Sequence, residues 1–364
     1  MYILFFNPEV CRGLMRINLL LYCYVLEIPY IKFIHILMIL NKMNKKILCF
    51  LYFAYVIKKG VNQQETLTNS IWGMTMSDKG SSETIRSITY NFNSYFSLLP
   101  LHKKKMNKKF LHWFIGFSEG AGSFIILNNK IYFGIKLCLL NIQTLYYIKK
   151  ELGFGKVMFK MEGKTKIGIF YISGKDNFER LIAIFNGNLS TNSKKEKFKN
   201  WLFIFNQQYK MDIKFKNNIV KPSLSNGWMC GFTDALGCFY GIVNKYKKLS
   251  NKTPYLTFSI VNDELYIIKV IRDIFLRAQK ENLDSVNIKY DKLRGGWAFN
   301  CSNISKLKVI RRYFSIYKLK TTSKSLAFKN WCKIHNLVLN KDHLTKDGLN
   351  KIDLLTKKIN KFLS

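Results

Sequence analysis

Near the end of each of its halves, this chain of 364 residues repeats itself. Leu189-Ser190-Thr191 leads to Ser193-Lys194 and then Phe198-Lys199-Asn200-Trp201; Leu319-Lys320-Thr321 leads to Ser323-Lys324 and then Phe328-Lys329-Asn330-Trp331. Eight identities recur at a constant spacing of 130 residues. A chain that copies itself at one offset folds as two versions of one unit, so internal duplication constrains the fold more than any other feature.

The duplication extends upstream. Trp113-Phe114-Ile115-Gly116-Phe117-Ser118-Glu119-Gly120-Ala121-Gly122-Ser123-Phe124 is matched by Trp228-Met229-Cys230-Gly231-Phe232-Thr233-Asp234-Ala235-Leu236-Gly237-Cys238-Phe239. Here the offset is 115, so the second copy has gained loop residues. Apolar spacing predicts a helix over 111–117, strands over 123–127 and 131–139, a helix over 142–152 stopped by Gly153, strands over 156–160 and 167–173, and a helix over 177–185. The second copy repeats this order, with strands over 239–244 and 255–261, a helix over 263–277, strands over 286–290 and 296–301, and a helix over 304–317. Each half therefore reads αββαββα. We expect an N-terminal extension and linker over 1–105, a first domain over 106–215 and a second over 216–364 with a helical tail.

The first hundred residues differ from the rest. Residues 19–40 are largely apolar, but Glu27, Pro29, Lys32 and His35 interrupt them. Residues 47–57 fall short of the roughly 20 that a membrane-spanning helix needs. Peripheral membrane association is conceivable here but is not the favoured reading. Residues 62–93 are polar and read as a linker.

The formal net charge is +37, and residues after 105 carry 46 basic and 17 acidic side chains, a net of +29. An excess of that size favours a polyanion, because Lys and Arg displace counterions condensed on phosphate backbones. Translation of an AT-rich coding sequence supplies part of it, since Lys, Asn, Ile, Phe and Tyr are all abundant. The eight cysteines form no C-x-x-C pair and the five histidines are scattered, so we expect reduced, buried thiols and no zinc site.

The paired segments resemble the LAGLIDADG motif of homing endonucleases and intron maturases, over about 108–354 of this chain. That resemblance implies an α+β fold. Its two αββαββα halves are related by a pseudo-twofold axis, with motif helices packed at the centre and two saddle-shaped antiparallel sheets over the nucleic acid. Gly116 and Gly231 would let the motif helices approach. In the family, the carboxylate before the final glycine binds the catalytic metal, and those positions are Ala121 and Leu236 here. Neither offers an oxygen ligand to Mg²⁺. Glu119 and Asp234 lie two residues earlier, about 200° around the helix, and read as structural. Catalytic acids are thus not intact, no metal or other cofactor is expected, and Mg²⁺ would matter only to residual endonuclease activity.

The family's sheets also suggest binding residues. In the first half these are Lys130, Lys136, Lys156, Lys160, Lys164 and Lys166; in the second they are Lys245, Lys247, Lys248, Lys252, Lys289, Lys292 and Arg294. Any one of them alone reads as an ordinary solvated side chain, whereas the set favours a basic sheet face. Tyr132, Tyr240, Tyr246 and Trp297 are candidates for stacking or for core packing.

Three functions follow from the resemblance. The chain is expected to be an intron-encoded nucleic-acid-binding protein that assists splicing of its group I intron RNA in the mitochondrial matrix, descended from a homing endonuclease. The alternatives are a site-specific DNA endonuclease and a decaying reading frame. Its partner is group I intron RNA, double-stranded DNA or both, with no small-molecule substrate, and the protein is expected to act as a monomer with an internal pseudo-dimer.

Overall fold

A computed structural model describes residues 89–103, 106–243, 254–278 and 288–361. The apolar runs at 19–40 and 47–57, most of the 62–93 linker, Lys245, Tyr246, Lys247, Lys248 and Lys252 lie outside the described residues. Contacts divide the chain into Met1–Thr84 and Ile85–Ser364, and every described residue belongs to the second unit.

That unit begins with a short helix α1 (Asn93–Phe96) and then two copies of one arrangement. The first comprises α2 (Lys108–Ala121), β1 (Gly122–Leu127), β2 (Lys130–Cys138), α3 (Ile142–Leu152), β3 (Lys156–Glu162), β4 (Thr165–Ile172), α4 (Lys175–Phe185) and α5 (Asn192–Tyr209). The second comprises α6 (Trp228–Leu236), β5 (Gly237–Ile242), β6 (Tyr255–Asn262), α7 (Leu265–Ala278), β7 (Lys289–Asp291), β8 (Gly296–Cys301), α8 (Leu307–Ile316), α9 (Thr322–Leu339) and α10 (Lys346–Asn360). Each half makes one four-stranded antiparallel sheet, ordered β1-β2-β4-β3 and β5-β6-β8-β7.

Local sequence accounts for the main boundaries. The Asn107 side chain accepts from the Lys109 amide at 2.9 Å and starts α2. Gly153 closes α3 in the left-handed region, at φ 79°. Both motif helices run straight into a strand, because Gly122 and Gly237 continue with extended backbone.

The duplicated residues build duplicated cores. Phe124 packs on Phe133, Phe185 and Phe198 at ring distances of 5.3, 5.3 and 5.2 Å. Phe239 packs on Phe258, Phe314 and Phe328 at 5.3, 5.6 and 5.1 Å. The repeated tryptophans clamp the tail helices to the sheets: Trp201 Nε1 donates to the Tyr132 carbonyl at 2.9 Å, and Trp331 Nε1 to the Thr257 carbonyl at 3.2 Å. Both indoles are fully buried.

Upstream chain joins the first core, since Tyr95 of α1 is fully buried and Phe92 nearly so. The final helix of the second repeat is shorter than the 304–317 expected, beginning at Leu307. Asn303 Oδ1 accepts from the Ser305 amide at 3.0 Å and holds the preceding turn outside the helix.

Candidate nucleic-acid interface

The site grows from the crossing of α2 and α6. A Cβ added to Gly116 would lie 2.0 Å from the Trp228 carbonyl oxygen, and one on Gly231 would lie 1.9 Å from the Trp113 carbonyl oxygen. A Cβ on Gly120 would meet that of Ala235 at 2.3 Å. The helices thus touch backbone to backbone, which only glycine permits at Gly116 and Gly231.

The motif acids lock this crossing. Glu119 and Asp234 are each 3% exposed. Glu119 accepts from the Ser190 and Thr191 amides, from the Thr191 hydroxyl and, across the halves, from Trp228 Nε1. Asp234 accepts from the Lys320 amide at 2.8 Å, the Thr321 amide at 3.0 Å, the Thr321 hydroxyl at 2.6 Å and, across the halves, Trp113 Nε1 at 2.8 Å. Burial pushes the Glu119 carboxyl up to about 7, against the pull of these donors, and raises Asp234 for the same reason.

A second reciprocal pair sits nearby. Glu264 of the second half accepts from the Asn192 and Ser193 amides at the start of α5, at 2.8 and 2.7 Å. Asn141 of the first half accepts from the Ser323 amide at the start of α9, at 2.9 Å. Each half therefore caps a helix of the other.

The last residues of the motif helices are Ala121 and Leu236. A hollow of about 310 Å³ opens there, lined by Leu236, Lys194, Lys197, Asp263, Glu264 and Arg294 among others. Magnesium wants carboxylate oxygens with lone pairs to spare. Glu119 and Asp234 are engaged by four protein donors each, Glu264 is committed to α5, and Asp263 remains as one exposed carboxylate. Among the described residues no group of three or more His, Cys, Asp or Glu could hold a metal ion. The donor set does not fit a catalytic divalent ion.

Two lysines of the tail helices flank this centre. Lys194 Nζ donates to the Gly122 carbonyl at the end of α2, and burial lowers the affinity of its amine for a proton, with neighbouring Lys197 adding to the effect. Lys324, its repeat mate, is lowered by burial too and lines the cavity over the second sheet. Neither lysine is among the site residues expected from the sequence. The repeat itself was the available signal, because both occupy the same place in the Ser-Lys step of the duplicated tail.

Strand register sorts the other candidates. Alternate residues point to opposite faces, and Phe133, Ile135 and Phe170 mark the helix-covered face of the first sheet. Lys130, Tyr132 and Lys136 on β2, with Lys156 and Lys160 on β3, fall on the open face. Lys136 is held by Glu162 there, at 2.6 Å. Lys164 sits in the β3–β4 turn. Lys166 requires a correction: its register with Met161 and its parity with Gly168 and Phe170 put it on the helix side, where its ammonium lies 4.9 Å from the Phe159 ring.

In the second sheet, Lys289 and Tyr240 fall on the open face and Lys292 is exposed in the β7–β8 turn. Arg294 is the most organised of the set: Asp291 Oδ2 accepts from its Nε at 2.7 Å, and its Nη2 donates to the Ser259 hydroxyl at 3.0 Å. For Trp297, the core alternative holds. It pairs with Tyr290 and Asn262 on the helix side and packs on the core, so it is no stacking surface.

The family profile described as LAGLIDADG endonuclease matches residues 229–335. A Schizosaccharomyces pombe protein named "Uncharacterized cox1 intron-2 37.2 kDa protein" is 30% identical over 292 residues, spanning 78% of this chain and 83% of that protein. The chain belongs to the LAGLIDADG endonuclease family. The Neurospora crassa protein "Probable intron-encoded endonuclease 4" is 36% identical over 261 residues, covering 69% of this chain but 44% of its own length, so the LAGLIDADG chain described here spans less than half of that relative. Among solved structures, the meganuclease I-SmaMI bound to uncleaveable DNA superposes with a TM-score of 0.56 at 20% identity, covering 69% of this chain and 98% of that one. The LAGLIDADG meganuclease I-AabMI bound to uncleaved DNA gives 0.55 at 20%, covering 69% and 99%. These likenesses establish the duplicated α+β fold.

Proposed function

We propose that this LAGLIDADG protein binds nucleic acid without cutting it efficiently, and that its working partner is the group I intron RNA that encodes it. The observation carrying this reading is the pair Ala121 and Leu236 at the ends of the motif helices, with Glu119 and Asp234 already saturated by protein donors. RNA binding needs basic surface rather than a metal centre, and the net charge of +29 after residue 105 supplies it. On this reading no metal acts as a resident cofactor, no small molecule is turned over, and the protein works as a monomer whose two halves stand in for a dimer.

Relatives named as intron-encoded, one of them from a cox1 intron, support an origin in a fungal mitochondrial intron and a site of action in the mitochondrial matrix. Deleting the reading frame while keeping the intron tests the proposal. Accumulation of unspliced precursor, reversed by supplying the protein in trans, is expected; normal splicing without it would overturn the RNA assignment.

The second reading is a site-specific DNA endonuclease. Its support is the names of the relatives and the DNA held by the structural neighbours. Decay of the reading frame is less well supported, because reciprocal hydrogen bonds between the halves persist on both sides of the pseudo-twofold axis.

A further inference from the structure

The halves come from one duplicated sequence, yet the outer faces of their last helix pairs differ in charge. Phe185 packs on Phe124, Phe133 and Phe198, and Phe314 packs on their mates Phe239, Phe258 and Phe328. α4 and α8 therefore match at an offset of 314 − 185 = 129, while α5 and α9 match at 130. On α8, Lys308, Arg311, Arg312 and Ser315 share one side of the helix at i, i+3, i+4, i+7 spacing. Lys329, Cys332, Lys333 and Asn336 do the same on α9, and none of the eight is buried. Their mates are Glu179, Ile182, Ala183 and Asn186, with Lys199, Leu202, Phe203 and Asn206. The second-half set holds five cations and no acid, whereas the first-half set holds one of each. Coding bias acts on both halves alike and does not account for the difference.

Arg311 is also held in place. Its Nη1 donates to Asn336 Oδ1 at 2.6 Å and to His335 Nδ1 at 3.0 Å. His335 is fully buried, stacks on Trp331 and donates from Nε2 to the Ile304 carbonyl at 2.8 Å, which leaves Nδ1 as an acceptor. Burial lowers the affinity of this ring for a proton, against the pull of the Ile304 carbonyl, and Arg311 and Lys308 add to the effect. Among the described residues, no carboxylate lies within ion-pairing distance of Lys308, Arg311 or Arg312. A guanidinium aimed by a neutral imidazole and left without an acid is a fork ready for a phosphate.

The first half shows what the same corner does without these groups. Ile182 and Phe205 stand where Arg311 and His335 do, and Phe205 stacks on Trp201. Asn206 pairs with both backbone groups of Ile213, and Asn186 takes the Lys214 carbonyl and the Lys216 amide, so the corner grips the connection between the halves. In the second half Ser315 replaces Asn186, and Asn336 is turned to Arg311. The grip on protein backbone is gone and cations stand there instead, which suits a polyanion better than a polypeptide.

α8 and α9 cover the second sheet on the side away from its open face, since Phe314 and Trp331 both pack on Phe239. A DNA duplex is stiff over about 150 base pairs, so one lying along the open sheets does not reach this corner. A folded RNA presents phosphates in several directions at once. We propose that this corner is a phosphate contact for folded RNA, with Arg311 aimed by His335 and Asn336 and with Lys308, Arg312, Lys329 and Lys333 taking neighbouring phosphates. His335 is a positioning residue. This rests on the RNA-binding reading above and says where on the fold the RNA is held.

Fluorescence anisotropy with the full chain tests it, using a labelled transcript of the encoding intron and a mixed-sequence DNA duplex at fixed salt. The combined variant Lys308→Gln, Arg311→Gln, Arg312→Gln and Lys333→Gln is expected to bind the transcript about 10-fold or more weakly, with the slope of log affinity against log salt lowered by roughly 3. A control takes the same number of charges from Lys149, Lys150, Lys351 and Lys358, which are exposed on other helices. It should leave transcript binding near wild type, and duplex binding should fall no further in the corner variant than in this control. His335→Phe copies Phe205, so the fold has a precedent for it. It is expected to weaken transcript binding about 5-fold in the wild-type background and to have no effect in Arg311→Gln, a pattern that a purely structural role would not give.

Transcript binding that the corner variant retains, or that the control loses equally, would overturn the corner while leaving the RNA-binding reading in place. So would a loss shared equally with the duplex. His335→Phe acting alike in both backgrounds would overturn its positioning role. Retained transcript binding with lost binding of polyglutamate would hand the corner to an acidic polypeptide instead. Wild-type protein that fails to bind the transcript would overturn both readings.

Discussion

Trp113 Nε1 of the first motif donates a 2.8 Å hydrogen bond to Asp234 of the second. Trp228 Nε1 returns the contact to Glu119. Each motif therefore supplies an indole to the other's buried carboxylate, and each carboxylate also fastens the loop before its own half's tail helix through residues 190–191 or 320–321. The acids that survive in the motifs tie the two halves together; they are not positioned as free ligands.

Breaking one indole contact should cost about 1.5–3 kcal/mol, the usual range for a hydrogen bond to a charged group. Trp113→Phe and Trp228→Phe are expected to lower the urea midpoint by similar amounts. Glu119→Gln should cost more than Trp228→Phe, because an amide nitrogen then faces converging N–H donors and leaves buried groups unsatisfied. Equal midpoints for Trp228→Phe and wild type would show that the lock contributes nothing.

Gly116→Ala and Gly231→Ala should be among the most damaging single substitutions in the chain. Each places a methyl about 2 Å from a carbonyl oxygen of the opposite helix, so the helices must separate. A loss of more than about 3 kcal/mol, or no soluble folded protein, is expected, as for overpacking at its severe end. Gly163→Ala is the contrast: a Cβ there meets nothing within 4 Å, and only the positive φ of 59° is strained. Its cost should stay near 1–2 kcal/mol. Circular dichroism with urea unfolding ranks the three.

Stability should also respond to pH through His112, whose ring packs against Tyr90 and Phe92 at 5.0 and 5.4 Å. Burial, with Lys108 adding to it, lowers its pKa from 6.5 to about 4. The unfolded chain therefore binds a proton that the folded chain refuses between those values. This contribution is complete above pH about 6.5 and is lost as pH falls toward about 4. The difference in unfolding free energy between wild type and His112→Phe should shift in favour of the variant across that window. A constant difference would contradict the assignment.

The duplicated αββαββα order was legible in the sequence because apolar spacing and the offset of 130 both survive, and Gly153 stopped its helix where expected. Three things were not legible. The face a strand lysine takes depends on register, which separates Lys160 from Lys166 although both belong to one hairpin. Cross-half caps such as Asn141 on Ser323 span 182 residues and leave no local signature. The clamp from Trp201 to the Tyr132 carbonyl gives a reason for the repeated tryptophan that the repeat alone could not supply.

Restoring acids at the helix ends separates a lost centre from a lost interface. The double variant Ala121→Asp with Leu236→Glu is expected to gain Mg²⁺-dependent cutting of the intronless target if the sheets still grip DNA. Binding without cutting in that variant would mean that more of the centre than these two positions has changed. Agarose gels with supercoiled target plasmid read both outcomes.

On the proposed function, this LAGLIDADG protein holds nucleic acid but lacks carboxylates at Ala121 and Leu236 for cutting it. Incubating the purified full chain with plasmid bearing the intronless host gene and Mg²⁺ or Mn²⁺ tests it most directly. A retarded protein–DNA complex with no linear product is expected. Clean linearisation at one site would contradict it.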